Sequence, residues 1–271
     1  MSPTSLPSVP AQPPTSALAR LAQRRPWAME WLYFLLALGV YQLSRAIAIG
    51  GEEVAMGHAM DIVRFERALG LYVEPGMQAL FLPHEALKQV LNAVYMRAHL
   101  PVTILFFMWL YRYHRSDYAW VRNGFFVANA IAVIIYVVYP VAPPRLMEAL
   151  GIVDTLRHSS GVDLYRGWRR HFFNQYAAVP SMHFGYSLLV STGIVRWARP
   201  LWVKAVSALY APLILLVIVV TGNHFVLDAA AGGLVMALAF VLLWQYQRLQ
   251  NPALARLRPL AADSASAQSV E

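Results

Sequence analysis

Long apolar runs separated by short polar stretches dominate the chain from about residue 28 onward. A helix needs about twenty apolar residues to cross the hydrocarbon core of a membrane. By this measure the sequence predicts six spans, near residues 28–48, 89–111, 119–139, 181–198, 201–221 and 223–247. The pattern therefore predicts an all-α integral membrane protein built as a six-transmembrane-helix bundle.

The segment between the first two spans departs from this pattern. Residues 50–87 contain acidic side chains, among them Glu52, Glu53, Asp61, Glu66 and Glu74. Amphipathic stretches such as residues 62–71 lie between them. The segment is too polar to cross a membrane and too regularly patterned to be coil, which predicts short interfacial helices.

The two ends of the chain differ in composition from the middle. Residues 1–26 are rich in Pro, Ser and Ala, and residues 249–271 are first basic and then rich in Ala and Ser. Both are predicted to be disordered tails around a membrane domain at residues 27–248. A cleaved signal peptide is not expected, because the first apolar run starts late and no cleavage site followed by a soluble domain comes after it.

The composition narrows the class of protein. Hydrophobic residues make up 58% of the chain and charged residues only 13%, whereas a soluble domain is about one quarter charged. This excludes a soluble globular enzyme. The chain has no cysteine, which excludes disulfides, thiolate metal sites and cysteine nucleophiles. Its net charge of +8 does not indicate nucleic-acid binding, because the basic residues lie at the ends of apolar runs.

The basic residues predict the orientation in the membrane. Arg112, Arg115 and Arg122 lie where span two meets span three, Arg196, Arg199 and Lys204 where span four meets span five, and Arg248, Arg256 and Arg258 at and after the end of span six. The positive-inside tendency makes this side cytoplasmic. The sequence thus predicts a multi-pass cell-membrane protein with both termini in the cytoplasm. The interfacial helices, the loop at 140–180 and the turn at Gly222 then lie at the outer face.

His224 and Asp228 stand at the start of the sixth span, four residues apart. This spacing would place both side chains on one helical face. A hydrogen bond between them would fix the imidazole tautomer and leave the other nitrogen free as a nucleophile or base. An ionisable residue within a span is a functional-site candidate. For this pair alone, a structural role in joining helices is an equally good interpretation.

Two further motifs fall on the same predicted face. Pro180-Ser181-Met182-His183 begins the fourth span, where helix-terminal amides could hold an anion. Pro and Ser there could equally be ordinary capping residues. The third span ends in Tyr-Pro-Val-Ala-Pro-Pro-Arg, whose last residue, Arg145, has a guanidinium suited to bidentate phosphate contacts. Considered alone, Arg145 fits a headgroup anchor better.

The order, spacing and common face of these motifs resemble the phosphatidic acid phosphatase type 2 superfamily, whose members have a six-helix membrane core. The resemblance is closer to the aureobasidin-target branch, the inositol phosphorylceramide synthases and their bacterial relatives, which share Tyr-Pro-x-Ala-Pro-Pro-Arg, Pro-Ser-x-His and Gly-Asn-His-x-x-x-Asp. It covers roughly residues 28–247. The chain has Met182 where Gly is usual. It also has Val217-Ile218 in place of Ser-Arg and Val138 in place of Lys, so two phosphate-binding cations are missing.

The resemblance implies a membrane lipid phosphatase or phosphotransferase that works through a phosphohistidine. His224 would attack phosphorus, Asp228 would orient it, and His183 would protonate the leaving oxygen and then activate the acceptor. Phosphate oxygens would be held by Arg145, Ser181 and Asn223 and by backbone amides near Asn223. Further candidates are Arg166, Arg169 and Arg170, for which a solvated basic stretch is the alternative interpretation. The implied substrate is a lipid-linked phosphate ester and the acceptor water or a polyol, with no metal or cofactor.

Two other interpretations stay open on the residues alone. Two histidines and one carboxylate could bind zinc or iron, although an arginine beside a dication is unfavourable. A non-catalytic transporter or scaffold could use the same polar residues, but an ion pathway should place ionisable groups at mid-bilayer in several helices. Arg97 and His99 in span two are exceptions to the clustering at one face, and the sequence assigns them no role.

Overall fold

The structure, a computed structural model, describes residues 26–44, 51–160 and 175–250. The helices in these ranges are α1 (Pro26–Ser44), α2 (Glu52–Ala68), α3 (Glu74–Phe81), α4 (Glu85–Ala93), α5 (His99–Tyr113), α6 (Arg115–Val138), α7 (Thr155–Ser160), α8 (Met182–Trp197), α9 (Leu201–Ala208), α10 (Tyr210–Val220) and α11 (Val226–Gln250). Helix α1 forms one compact unit, and the helices from α2 onward form another. The predicted disordered tails, up to residue 25 and from residue 251, lie outside the described residues.

Within the described residues, four helical stretches are long and apolar enough to cross a membrane: Glu85–Tyr113, Arg115–Val138, Leu201–Val220 and Val226–Gln250. They coincide with predicted spans two, three, five and six. The other two predicted spans correspond to α1, whose apolar part is Trp27–Tyr41, and to α8, which has 16 residues. The chain is thus a multi-pass helical membrane protein, and the number of six spans stays a prediction.

The polar ends of several spans are helical rather than looped. Only His114 separates α5 from α6. Arg115 therefore lies within α6, whereas the hydropathy pattern places it between spans two and three. Arg122 and Lys204, near the starts of predicted spans three and five, lie within α6 and α9. The difference arises because hydropathy reports only the apolar part of a helix. Backbone hydrogen bonding continues past that part, where long basic side chains reach water.

Helix α8 lies at the centre of the packing. Helices α5, α9, α10 and α11 each contact it, and α11 also packs along α6. Large apolar side chains cover the outside, including Leu201 and Leu234 at 79% and 71% exposed. A soluble monomer rarely exposes apolar surface so extensively, which agrees with a lipid environment for these helices.

The segment predicted to form interfacial helices is folded as α2, α3 and the start of α4. Its largest buried face is on α2, where Ala55, Ala59, Ile62 and Val63 pack against the loops that follow α6 and precede α8. The backbone of Ala142 donates to the carbonyl of Ala55 at 3.0 Å. The short helices are thus present, and their position at a membrane interface stays a prediction.

Prolines explain two irregular places in the spans. Helices α4 and α5 are joined by a π-helical turn at Val94–Ala98, and Pro101 follows it. Pro101 has no N–H for the carbonyl of Arg97, so regular α-helical bonding cannot continue there. Pro212 likewise cannot bond the carbonyl of Ala208, where α9 ends and α10 follows after one residue. Such π-turns often occur at functional sites.

Candidate active site

Helices α8 and α11 cross with their backbones in contact. A Cβ added at Gly232 would lie 2.1 Å from the carbonyl oxygen of Ser181, and one added at Gly185 would lie 3.1 Å from the carbonyl of Gly232. Ser181 also donates its backbone N–H to the carbonyl of Asp228 at 2.9 Å. Only residues without a Cβ permit so close an approach. The crossing brings the Pro-Ser-x-His motif beside the His-x-x-x-Asp motif.

The spacing to Asp228 predicts that His224 lies on the same helix. In the structure His224 lies in the turn before α11, which begins at Val226. Its Nδ1 is 3.0 Å from the carbonyl oxygen of Ala178 and 3.3 Å from Oδ2 of Asp228. Both partners accept hydrogen bonds, so Nδ1 carries the hydrogen and Nε2 keeps its lone pair. The same Oδ2 accepts the backbone N–H of Phe225 at 2.9 Å. The predicted contact is therefore made through a capped turn rather than across one helical face.

The loop after α6 brings Arg145 to the same turn. Its backbone N–H donates to the carbonyl of Gly222 at 2.9 Å, and Gly222 has a φ of +70°, a left-handed conformation that favours glycine. The Arg145 side chain is buried, with Nε 3.6 Å from Oδ2 of Asp154. It is close enough to His224 to interact with it electrostatically. A cation suited to phosphate thus lies beside the histidine that has a free Nε2.

Aromatic rings enclose the side chain of His183. Tyr95 stacks on it with ring centroids 4.6 Å apart, and the ring of His99 lies 4.5 Å away. The ring of His224 follows at 5.7 Å. The sequence motifs assign no role to His99 and do not include Tyr95. Two sequence signals could have found them: a histidine within an apolar span, and Pro101, which disturbs the helix beside it.

Two polar side chains at the site keep buried atoms that have no hydrogen-bond partner in the part of the chain that the structure describes. Ser181 is the N-cap residue of α8 but makes no capping bond, and its Oγ is unpaired. Asn223 donates its amide to Oγ1 of Thr221 at 2.7 Å, and its Oδ1 is unpaired. Buried polar atoms are normally satisfied. Ser181 therefore offers a hydroxyl to a ligand, whereas Asn223 offers an acceptor and not the expected donor.

The backbone amides around the start of α11 are occupied, which contradicts the expectation that they hold phosphate. Those of Asn223 and His224 donate to the carbonyl of Ile218 at 2.9 and 3.1 Å. The next three, from Phe225 to Leu227, donate to the carboxylates of Asp228, Glu74 and Glu66 at 2.9, 2.8 and 2.7 Å. Carboxylates at a helix N-terminus are stabilising, and here they take up the donors that an anion would need.

Glu66 and Glu74 are the main residues that sequence reasoning missed at this site. Both belong to the segment predicted to be interfacial, and both are buried, at 0% and 1% exposed. An acidic residue in an amphipathic helix ordinarily faces water. Nothing in the local sequence distinguishes these two from their exposed neighbour Glu53.

The structure bears differently on the remaining arginines and on the metal-site interpretation. Arg166, Arg169 and Arg170 lie outside the described residues, and so does their proposed contact with phosphate. Arg97 is described and its side chain is exposed. Within residues 26–44, 51–160 and 175–250, no three His, Cys, Asp or Glu side chains are grouped so that they could hold a metal ion.

Comparison with known proteins identifies the family. A model of the PAP2 superfamily matches residues 60–242, about two thirds of the chain. No curated protein and no solved structure matches. The matched range contains Arg145, His183, His224 and Asp228, and the superfamily supports phosphatase or phosphotransferase chemistry on phosphate esters. The chain belongs to the PAP2 superfamily.

Proposed function

We propose that this protein is a membrane lipid phosphatase or phosphotransferase that acts on a lipid-linked phosphate ester through a phosphohistidine at His224. The observation that carries the proposal is the pair of acceptors, Ala178 and Asp228, on Nδ1 of His224. Because both accept hydrogen bonds, they favour the tautomer with the hydrogen on Nδ1 and the lone pair on Nε2. In this tautomer Nε2 can attack phosphorus.

In the first step Nε2 of His224 forms a bond to phosphorus as the bond from phosphorus to the leaving oxygen breaks. His183, protonated, gives its proton to that oxygen. The ring of His224 becomes positively charged, and Asp228 stabilises it. In the second step His183 takes the proton of an acceptor hydroxyl, the acceptor oxygen bonds to phosphorus, and the bond to Nε2 breaks. Water as acceptor makes a phosphatase, and a polyol or lipid hydroxyl makes a phosphotransferase.

Arg145 and Ser181 are proposed to hold the non-bridging oxygens, where charge accumulates in the transition state. The buried guanidinium of Arg145 and the unpaired Oγ of Ser181 support these roles. Asn223, whose Oδ1 is the free atom, is better suited to accept a hydrogen bond from the incoming hydroxyl. Arg166, Arg169 and Arg170 remain proposed as further cations for the phosphate.

The site is proposed to open to the extracytoplasmic face of the cell membrane, with both termini in the cytoplasm. The basic residues support this orientation, because they lie at the ends of α5, α8 and α11 and at the starts of α6 and α9. The site is built from the other ends of α6, α8 and α11. We further propose membership of the aureobasidin-target branch and a reaction that needs neither metal nor cofactor.

The test is an assay of the purified protein on phospholipids, sphingolipid phosphates and prenyl phosphates, with and without polyol acceptors and excess EDTA. We expect turnover that persists in EDTA. His224→Ala should abolish turnover and leave no phosphoenzyme, while His84→Ala, at an exposed histidine, should behave as wild type. Loss of activity in EDTA with rescue by one divalent ion would overturn the metal-free mechanism. Full activity of His224→Ala would favour a transporter or scaffold with structural histidines.

The leaving group separates the roles of the two histidines. An alkoxide needs the proton that His183 supplies, which contributes roughly 10² to 10⁴ in rate, whereas a nitrophenolate does not. His183→Ala should therefore be partly rescued on a nitrophenyl phosphate ester, and His224→Ala should not. Equal losses for both variants on both substrates would contradict the assignment of nucleophile and general acid.

A further inference from the structure

Two buried carboxyl groups hold the first turn of the helix that follows His224. Oε1 of Glu74 accepts the N–H of Val226 at 2.8 Å, and Oε1 of Glu66 accepts the N–H of Leu227 at 2.7 Å. The two glutamates are 1% and 0% exposed. Glu66 comes from α2 and Glu74 from α3, more than 150 residues away from α11 in sequence. Two separate helices are thus tied to one turn.

The two carboxyl groups also interact with each other. Their Oε1 atoms accept the N–H groups of consecutive residues, Val226 and Leu227, so the two carboxyl groups lie side by side. Each has an Oε2 that is buried and has no hydrogen-bond partner among the described residues. Two ionised carboxylates cannot donate to one another, and their charges repel in a shared buried site. One proton between them removes both problems, as in other carboxyl pairs that share a site.

We propose that Glu66 and Glu74 are positioning residues that share one proton and hold the start of α11, and through it His224 and Asp228, in the reactive arrangement. The proposal rests on the proposed function. The mechanical connection is short, because Val226 and Leu227 lie directly between Phe225 and Asp228. Asp228 in turn bonds both the Phe225 amide and Nδ1 of His224.

The surroundings of the pair favour retention of the proton. Burial is the largest cause that raises the pKa of Glu66, to about 8, and the carboxylates of Glu74 and Asp228 raise it further. The hydrogen bond from the backbone N–H of Leu227 lowers the pKa of Glu66. Tyr72, on the turn between α2 and α3, also faces both glutamates, and the guanidinium of Arg67 lies 4.8 Å from the Tyr72 ring.

The pH dependence follows from the direction of this shift. The folded protein holds the proton on Glu66 more tightly than the unfolded chain, whose carboxyl has an ordinary pKa near 4.5. The stability that the proton contributes is therefore fully present below about pH 4.5 and is lost as the pH rises through about 8. Above that pH the two carboxylates repel, and the first turn of α11 should lose its fixed position.

Three variants of the full-length protein test the proposal. Glu66→Gln keeps an acceptor for Leu227 and supplies a permanent N–H donor to Glu74, so it imitates the protonated pair. Glu66→Ala removes the acceptor and the proton together. Glu53→Gln is the matched control for loss of a carboxylate, because Glu53 lies on the same helix α2 and is exposed.

We expect the kcat of wild type to decline as the pH rises through about 8. Glu66→Gln should keep kcat near wild type at lower pH and should not show this alkaline decline. Glu66→Ala should lower kcat by up to about 10²-fold with little change in KM, the effect of misplacing a reactive group by about 1 Å. Glu53→Gln should match wild type in both respects. Wild-type kcat in Glu66→Ala, or an unchanged alkaline decline in Glu66→Gln, would overturn the proposal.

A second measurement separates failure of this proposal from failure of the proposed function. The apparent Tm of wild type and Glu66→Gln in detergent is followed by tryptophan fluorescence between about pH 4.5 and 9. Wild type should lose stability relative to Glu66→Gln across this range, whether or not any phosphate ester is turned over. Parallel curves would refute the shared proton, and an absence of turnover with diverging curves would refute only the proposed function.

Discussion

Replacement of Gly232 by alanine tests whether the close crossing of α8 and α11 builds the site. The new Cβ would lie 2.1 Å from the carbonyl oxygen and 2.9 Å from the carbonyl carbon of Ser181. Both are backbone atoms, so no side chain can turn away to make room. Ordinary contact begins near 3.4 Å, and the helices must therefore separate by about 1.3 Å, the difference between 3.4 and 2.1 Å.

The size of this displacement sets the expected effect. An alanine inside a helix is favoured over glycine by about 0.5–1 kcal/mol, whereas overpacking at a closed contact costs about 1–3 kcal/mol. The net result should be a lower Tm. Separation by more than 1 Å also moves His183 away from His224, and misplacement by about 1 Å costs about 10²-fold in rate. We therefore expect Gly232→Ala to lose stability and nearly all turnover.

The neighbouring glycine provides a matched control. A Cβ at Gly233 would lie 3.5 Å from Cε1 of Phe184, an ordinary contact. Gly233→Ala makes the same change of helix propensity one residue further along and should keep or slightly raise the Tm and keep activity. The assays are thermal unfolding in detergent and phosphate release from the best lipid substrate. Wild-type behaviour of Gly232→Ala, or equal losses in both variants, would refute the reasoning about the crossing.

Two other predictions concern the outer loops and the orientation. Gly222→Ala puts a side chain at a φ of +70° and within 3.1 Å of the Arg145 Cβ, while Gly151→Ala meets the same strain, at a φ of +67°, with nothing within 4 Å. The free energy of unfolding of both variants should fall by about 1–2 kcal/mol. Only Gly222→Ala should also raise KM. Equal KM values for the two variants would contradict the crowding of Arg145. In this cysteine-free chain, Ser159→Cys should react with an impermeant maleimide on intact cells and Ser116→Cys should not; the reverse pattern would contradict the proposed orientation.

The sequence by itself determined where the apolar helices lie and which residues could carry the chemistry. Hydropathy is a property of each stretch of chain, so it indicated the helices now seen at Glu85–Tyr113, Arg115–Val138, Leu201–Val220 and Val226–Gln250. The motifs at Arg145, His183 and His224 were visible because their residue types are rare in apolar surroundings. The family match to residues 60–242 confirms the superfamily that these motifs resemble.

Only the tertiary structure decided how these residues meet. The crossing at Gly232, the ring of His99 against His183, and the burial of Glu66 and Glu74 all join segments far apart in sequence. The amides at the start of α11 show the difference most clearly. From the local sequence, a helix N-terminus is expected to bind an anion. Here carboxylates from α2 and α3 accept hydrogen bonds from its backbone N–H groups. Whether a backbone N–H is free depends on which side chains pack against it. That packing arises from contacts between helices far apart in sequence, which a local sequence pattern does not predict.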